Sequence, residues 1–153
     1  MRRRHWGIIC GIILLVSLFL IFFSKNNDRE RDILSLNLRE HKNIALHIHP
    51  QVEIYILGVK KIIPNGVGIS ANGMRVIHTH DDTGKLHIES PTPHQFYLKD
   101  FFTIWGKNFN STCILEYCAD EKHKMKVLVN GIENYQYGDI ALQEHDIIKI
   151  YYE

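Results

Sequence analysis

The sequence predicts an α+β domain, mostly antiparallel β-sheet with one principal short helix, preceded by a single N-terminal transmembrane helix. Three observations carry this. An uncharged apolar run stands near the start. Short alternating segments punctuated by Gly, Pro, Asn and Asp fill most of the remainder. One stretch, Leu98 to Trp105, has helix-spaced aromatics with Gly106 behind it.

The apolar run is Trp6 to Phe23, 18 residues without a charge. At about 1.5 Å per residue it spans roughly 27 Å, close to the hydrocarbon thickness of a bilayer. A cleavable signal peptide would have a shorter apolar core and small residues at its exit. Here the exit is Leu20-Ile21-Phe22-Phe23, and Cys10 lies inside the run rather than after it, which argues against a lipoprotein cysteine. The expected element is an uncleaved signal anchor in contact with membrane lipid. Arg2, Arg3 and Arg4 precede it, and only Lys25 and a mixed-sign stretch follow. The positive-inside rule then keeps residues 1–5 in the cytoplasm and sends residues 24–153 outside. Single-pass localisation in the cell membrane follows as an expectation.

The chain has 153 residues with 18 Lys+Arg and 17 Asp+Glu. Residues 1–23 contain three Arg and no acid, so 15 basic and 17 acidic residues remain beyond them. A folded part with that balance lacks the basic face a nucleic-acid binder needs. Residues 24–43 carry nine charges of both signs and read as a solvated linker, within which Leu34, Leu36 and Leu38 alternate either as a strand or in a short juxtamembrane helix.

Residues 44–153 are the expected extracytoplasmic domain. Ile44–His49 and Val52–Leu57 read as strands around Pro50, followed by Val59–Ile63 and the turn Pro64-Asn65-Gly66. Gly68–Gly73 reads as a loop. Met74–His80 and Lys85–Glu89 are two strands joined by Asp81-Asp82-Thr83-Gly84, and Pro91-Thr92-Pro93 interrupts the chain. The helix Leu98–Trp105 follows; Phe101, Phe102, Trp105 and Phe109 are expected to plug the core over the sheet. Lys124–Val129, the Asn130-Gly131 turn and Asp146–Tyr152 close the domain as strands.

Histidine is the compositional outlier. Six of the ten (His47, His49, His78, His80, His87, His94) fall between positions 47 and 94. Residues i and i+2 of a strand share a face, which makes His47 and His49 co-facial, and likewise His78 and His80. An even-length turn at Asp81–Gly84 places His78 opposite His87 and Val76 opposite Glu89. His78, His80 and His87 then share one face, with opposed Cβ atoms about 4.5–5.5 Å apart. Two imidazoles from one strand and one from its neighbour suit a three-histidine site for copper or zinc, with Glu89 as a fourth ligand or a supporting hydrogen-bond acceptor. An odd-length turn would move His87 to the other face. The plainer alternative is an exposed polar face, with Thr79 and Leu86 on the side that packs. His47 and His49 either complete the same site, form a second one, or sit near Pro50 as ordinary polar residues. His5, His41, His123 and His145 read as surface residues. Crowded imidazoles also suit pH sensing, and affinity for a metal is expected to fall as pH drops through roughly 6–7.

Cys113 and Cys118 are able to bridge only if the four residues between them turn back; otherwise they are free thiols or soft ligands. Asn110-Ser111-Thr112 is a formal glycosylation triplet. No nucleophile elbow, phosphate loop or paired carboxylates are found, so no catalytic residue is assigned. Buffering, sensing or delivery of a metal is the leading expectation. A metal-free module that docks an envelope protein partner is the alternative.

Several elements carry a resemblance: His47-Ile48-His49-Pro50, Ile63-Pro64-Asn65-Gly66-Val67-Gly68-Ile69, Ile77-His78-Thr79-His80-Asp81, Leu86-His87-Ile88-Glu89 and Phe101-Phe102-Thr103-Ile104-Trp105-Gly106. Together they resemble a group of membrane-anchored or exported prokaryotic proteins with no established activity. The resemblance covers rather less than half of the chain and implies location, not mechanism. Val127–Gly131 and Asp146–Tyr152 are similar to the closing strands of β-grasp domains, without the Gly-Gly ending of sulfur carriers.

Overall fold

Alternating burial along short segments builds most of the domain. In the computed structural model, residues 33–153 are described; the expected membrane span Trp6–Phe23 and His5 lie outside them. Among the described residues no helix is long and apolar enough to cross a membrane. A 3-10 turn at Leu38–Glu40 precedes strands β1 (Leu46–Ile48), β2 (Gln51–Ile56) and β3 (Val59–Lys61). Then come β4 (Ile69–Ser70), β5 (Gly73–Met74), β6 (Ile77–His78) and β7 (His87–Ser90). Helix α1 (Leu98–Trp105) is followed by β8 (Cys113–Ile114), β9 (Tyr117–Cys118), β10 (Met125–Val129), β11 (Ile132–Glu133) and β12 (Ile147–Tyr152).

The larger sheet has the order β11-β10-β12-β2-β3. Val52, Ile54 and Ile56 of β2 and Ile148, Ile150 and Tyr152 of β12 are buried, while their alternate neighbours face outward. Fully burying side chains of this size contributes about 1.5–3 kcal/mol each. β12 pairs with β2 in parallel; the other pairs are antiparallel. Asn130 and Gly131 both adopt positive φ, 53° and 85°, as a two-residue hairpin turn requires. That turn leads β10 into β11, so β12 reaches β10 from elsewhere in the chain instead of directly across the turn.

The domain is mostly antiparallel sheet with one principal helix. Helix α1 occupies the expected span, and Gly106 ends it at φ 68° with its N–H bonded to the carbonyls of Phe102 and Thr103. At its start the Asp100 carboxylate accepts the Tyr97 N–H at 2.7 Å. Phe101 and Phe102 are buried, and Phe109 stacks on Phe102 with ring centroids 4.5 Å apart.

Two local readings differ from expectation, and one left open between alternatives is decided. Residues 68–73, expected as a loop, contain most of the short β4–β5 hairpin. Of the two alternatives for Leu34–Leu38 the strand does not form: Ile33–Ser35 are helical and Leu38 is a buried residue of the 3-10 turn. The Asn37 side chain accepts the Met74 N–H at 3.1 Å, which ties this segment to β5, and the compact unit runs from Leu36 to Glu153. Finally, the strand expected over Met74–His80 pairs with β7 only at Ile77 and His78. Beyond His78 the chain leaves β7. The Thr79 N–H bonds the Val67 carbonyl at 3.1 Å and its hydroxyl donates to the Pro64 carbonyl at 2.8 Å.

The smaller sheet, β1-β7-β6, carries the histidines. Leu46 to Ile48 pair antiparallel with Ser90 to Ile88, and Gln51 bridges Lys85 in the same register. The ladder therefore runs through Pro50, whose carbonyl accepts the Leu86 N–H at 2.9 Å. Gly84 (φ 86°) lets the chain approach β2 so closely that its carbonyl accepts the Val52 N–H at 2.9 Å; a Cβ there would collide with the Val52 carbonyl oxygen.

Candidate metal centre

Register decides which imidazoles meet. His78 is paired with His87 across β6 and β7. On the other side of β7, the β1 register puts His47 opposite Glu89, and its continuation to Gln51–Lys85 puts His49 opposite His87. His49, His87 and His78 thus form a row across three strands. Ile77, Leu86 and Ile88 point the other way into the core, each fully buried. Thr79 is buried too, so the Thr79–Leu86 side packs while the histidines share the opposite face.

Two groups of three imidazoles have ligand nitrogens within 4.8 Å of one another: His78, His80 and His87, and His47, His49 and His87. His87 belongs to both. Its ring lies 4.7 Å from His49, 4.6 Å from His80, 5.6 Å from His78 and 6.2 Å from His47, centroid to centroid. The groups differ in exposure. The first contains the fully buried His78 beside the exposed His80, whereas the second has no buried member and 51% of its His47 side chain is accessible.

Hydrogen bonds select the free nitrogen on three of the rings. A carbonyl only accepts, so the 3.0 Å contact from His78 Nδ1 to the Arg75 carbonyl places the proton on Nδ1 and leaves Nε2 with a lone pair. His78 Nε2 stands 3.1 Å from His80 Nε2. Two nitrogens bound to a tetrahedral zinc at about 2.05 Å lie about 3.3 Å apart, so this pair already has near-ligand spacing. On the exposed side, Glu89 Oε1 is 3.2 Å from His47 Nε2, and Glu144 Oε1 is 3.4 Å from His49 Nδ1. Carboxylates accept, so His47 is left with Nδ1 and His49 with Nε2 for a metal. Glu89 is therefore a partner of His47, beside the exposed group.

Burial disfavours the charged form of His78 and, together with the neighbouring His80 and His87, pushes its pKa down to about 4; the Arg75 carbonyl and Glu89 oppose this. His87 is also lowered, first by burial and then by His80 and His49. His78 thus stays neutral, and competent as a ligand, in mild acid, and His87 is shifted in the same direction. For these two, the expected loss of affinity through pH 6–7 moves to lower pH.

Glu144 had no local signal in the sequence. It lies 95 residues beyond His49 and accepts that residue's backbone N–H at 2.6 Å as well as its ring nitrogen. His145, expected on the surface, is exposed there and lies 3.3 Å from the same carboxylate. His94 meets Phe96 edge to face, outside both histidine groups, and His123 stacks on Tyr152 and pairs with Asp120. Cys113 and Cys118 are disulfide-bonded; Leu115, at φ 55°, turns the chain back between β8 and β9.

The histidine groups are able to hold a metal ion by ligand type and spacing, and the donor set does not separate copper from zinc. Comparison with protein-family models, with curated proteins and with solved structures gives no match for the chain.

Proposed function

We propose that the chain presents a copper- or zinc-binding domain outside the cytoplasm, anchored in the membrane by Trp6–Phe23, and that the domain buffers, senses or delivers the ion. His78, His80 and His87 are its ligands. One observation carries the reading: a fully buried imidazole, held by a backbone carbonyl, directs its bare Nε2 at a second imidazole 3.1 Å away, with a third ring beside both. A ligand ring held in one orientation by a backbone carbonyl is what a metal site requires. The outside location is supported by the arginines before the apolar run and by the Cys113–Cys118 disulfide, a bond that persists in oxidising compartments. We also infer a β-grasp arrangement for the large sheet, supported by the parallel β2 and β12 at its centre with an antiparallel partner on each side.

Titration of residues 36–153 with Cu²⁺ and Zn²⁺, alone and in competition, tests the reading. Saturable one-to-one binding lost on replacing His78, His80 and His87 is expected. Stoichiometric binding that survives the triple replacement would sink the assignment. A second reading, docking of an envelope partner without metal, is favoured by β3, an edge strand among the described residues, where Val59 and the following Ile62 are 61% and 69% exposed. Elemental analysis of gently purified protein separates the two readings: a metal-free domain that still retains a partner favours docking.

A further inference from the structure

We propose that His87 is the common ligand of two alternative three-imidazole sites, so that a single divalent ion enters at His47, His49 and His87 and passes to His78, His80 and His87. The inference rests on the buried group being a metal site, and it adds a route and a stoichiometry to that reading.

The geometry supports a shared ligand rather than two independent sites. His87 is central in the three-stranded sheet, with His49 opposite it on one side and His78 on the other. A neutral imidazole offers one lone pair, and its second nitrogen carries a proton. Two ions held at once would require His87 to lose that proton, so one ion per chain is the neutral-pH state. The exposed group is open to hydrated ions: the His47 side chain is half exposed and that of His49 is 30% exposed. In the group of His78, His80 and His87, His78 is sealed from solvent and only His80 is exposed, so His78 is reached past His80 or past the shared His87. Glu89 and Glu144 hold the rings of His47 and His49, keeping the entry group oriented when it is vacant.

Transfer is an exchange of coordinate bonds without redox change. The bonds from the ion to His47 and His49 break, those to His78 Nε2 and His80 Nε2 form, and the bond to His87 persists. His78 Nε2 is already bare. In the metal-free arrangement the 3.1 Å contact to it is made by the His80 Nε2–H, so that proton moves through water to His80 Nδ1 as Nε2 takes the ion.

The test uses the full chain in detergent, with Zn²⁺ as the probe, a chromophoric chelator as competitor, and stopped-flow mixing for the rate of uptake. The wild type is expected to bind one Zn²⁺. His47→Ala with His49→Ala slows uptake roughly tenfold, the mark of a raised entry barrier. His78→Asn, which keeps a donor for the Arg75 carbonyl, combined with His80→Ala leaves one weaker site. His87→Gln weakens both by about a hundredfold. Urea unfolding of each variant verifies the fold. Two Zn²⁺ per wild-type chain, or unaltered uptake after loss of His47 and His49, overturns the shared-ligand route alone. Absence of any Zn²⁺ binding to the wild type overturns the route and the underlying metal reading together.

Discussion

Acidification addresses the most deeply buried imidazole directly. His78 is fully buried, and its pKa falls from 6.5 to about 4 on folding. Because the folded pKa is the lower one, the unfolded chain binds the proton more readily. The contribution to stability is therefore complete above pH 6.5 and is lost as pH falls towards 4. At 1.36 kcal/mol per pH unit, the whole shift corresponds to about 3 kcal/mol, of which about 2 kcal/mol disappears between pH 7 and pH 5. The assay is equilibrium urea unfolding of metal-free residues 36–153 at those two pH values, beside His78→Asn. Asparagine can donate to the Arg75 carbonyl and does not titrate, so the variant should lose about 2 kcal/mol less than the wild type over the interval. Equal losses would refute the argument that burial sets the protonation of His78.

Other expectations follow from the same geometry. Zn²⁺ or Cu²⁺ at a hundred times its dissociation constant should stabilise the domain by about 2.7 kcal/mol, a rise of roughly 10 °C in Tm by calorimetry. The plot of log affinity against pH should fall by fewer than three decades per unit between pH 5 and 6, since His78 has no proton to release there; a slope of three would contradict its burial. Gly84→Ala should cost about 2 kcal/mol or more in urea unfolding, because the left-handed backbone and the Val52 carbonyl both oppose a Cβ. Replacing both Cys113 and Cys118 with Ser should cost about 2 kcal/mol, the closure entropy of so short a loop, and leave metal stoichiometry unchanged.

Where a local rule governed the chain, the sequence was readable. Helix α1 shows it: aromatic spacing and a following glycine mark both its body and its end. The pairing of His78 with His87 followed from the even length of the Asp81–Gly84 turn, although the ladder there is only two residues long. Thr79 explains the shortening, because its N–H and hydroxyl bond residues 64–67 instead of β7. The contribution of β1 was less accessible. His47 and His49 reach His87 through a pairing about 40 residues apart in sequence, and no period or turn encodes such a pairing. Glu144 was hidden for the same reason, as was the parallel contact between β2 and β12. Side-chain alternation identifies a strand and its buried face, but not the neighbour it will find.

The parallel contact of β2 with β12 also orders the folding of the chain. β2 is synthesised some ninety residues ahead of the strand that completes it. At about 5–20 residues per second, its Val52, Ile54 and Ile56 wait several seconds with one backbone edge unmatched. The histidine-bearing strands need only residues 46–90, so their antiparallel ladders have all their partners while the large sheet is still open. Until Ile147 to Tyr152 have been added, the backbone edge of β2 that they cover is an unpaired edge of the kind that invites association.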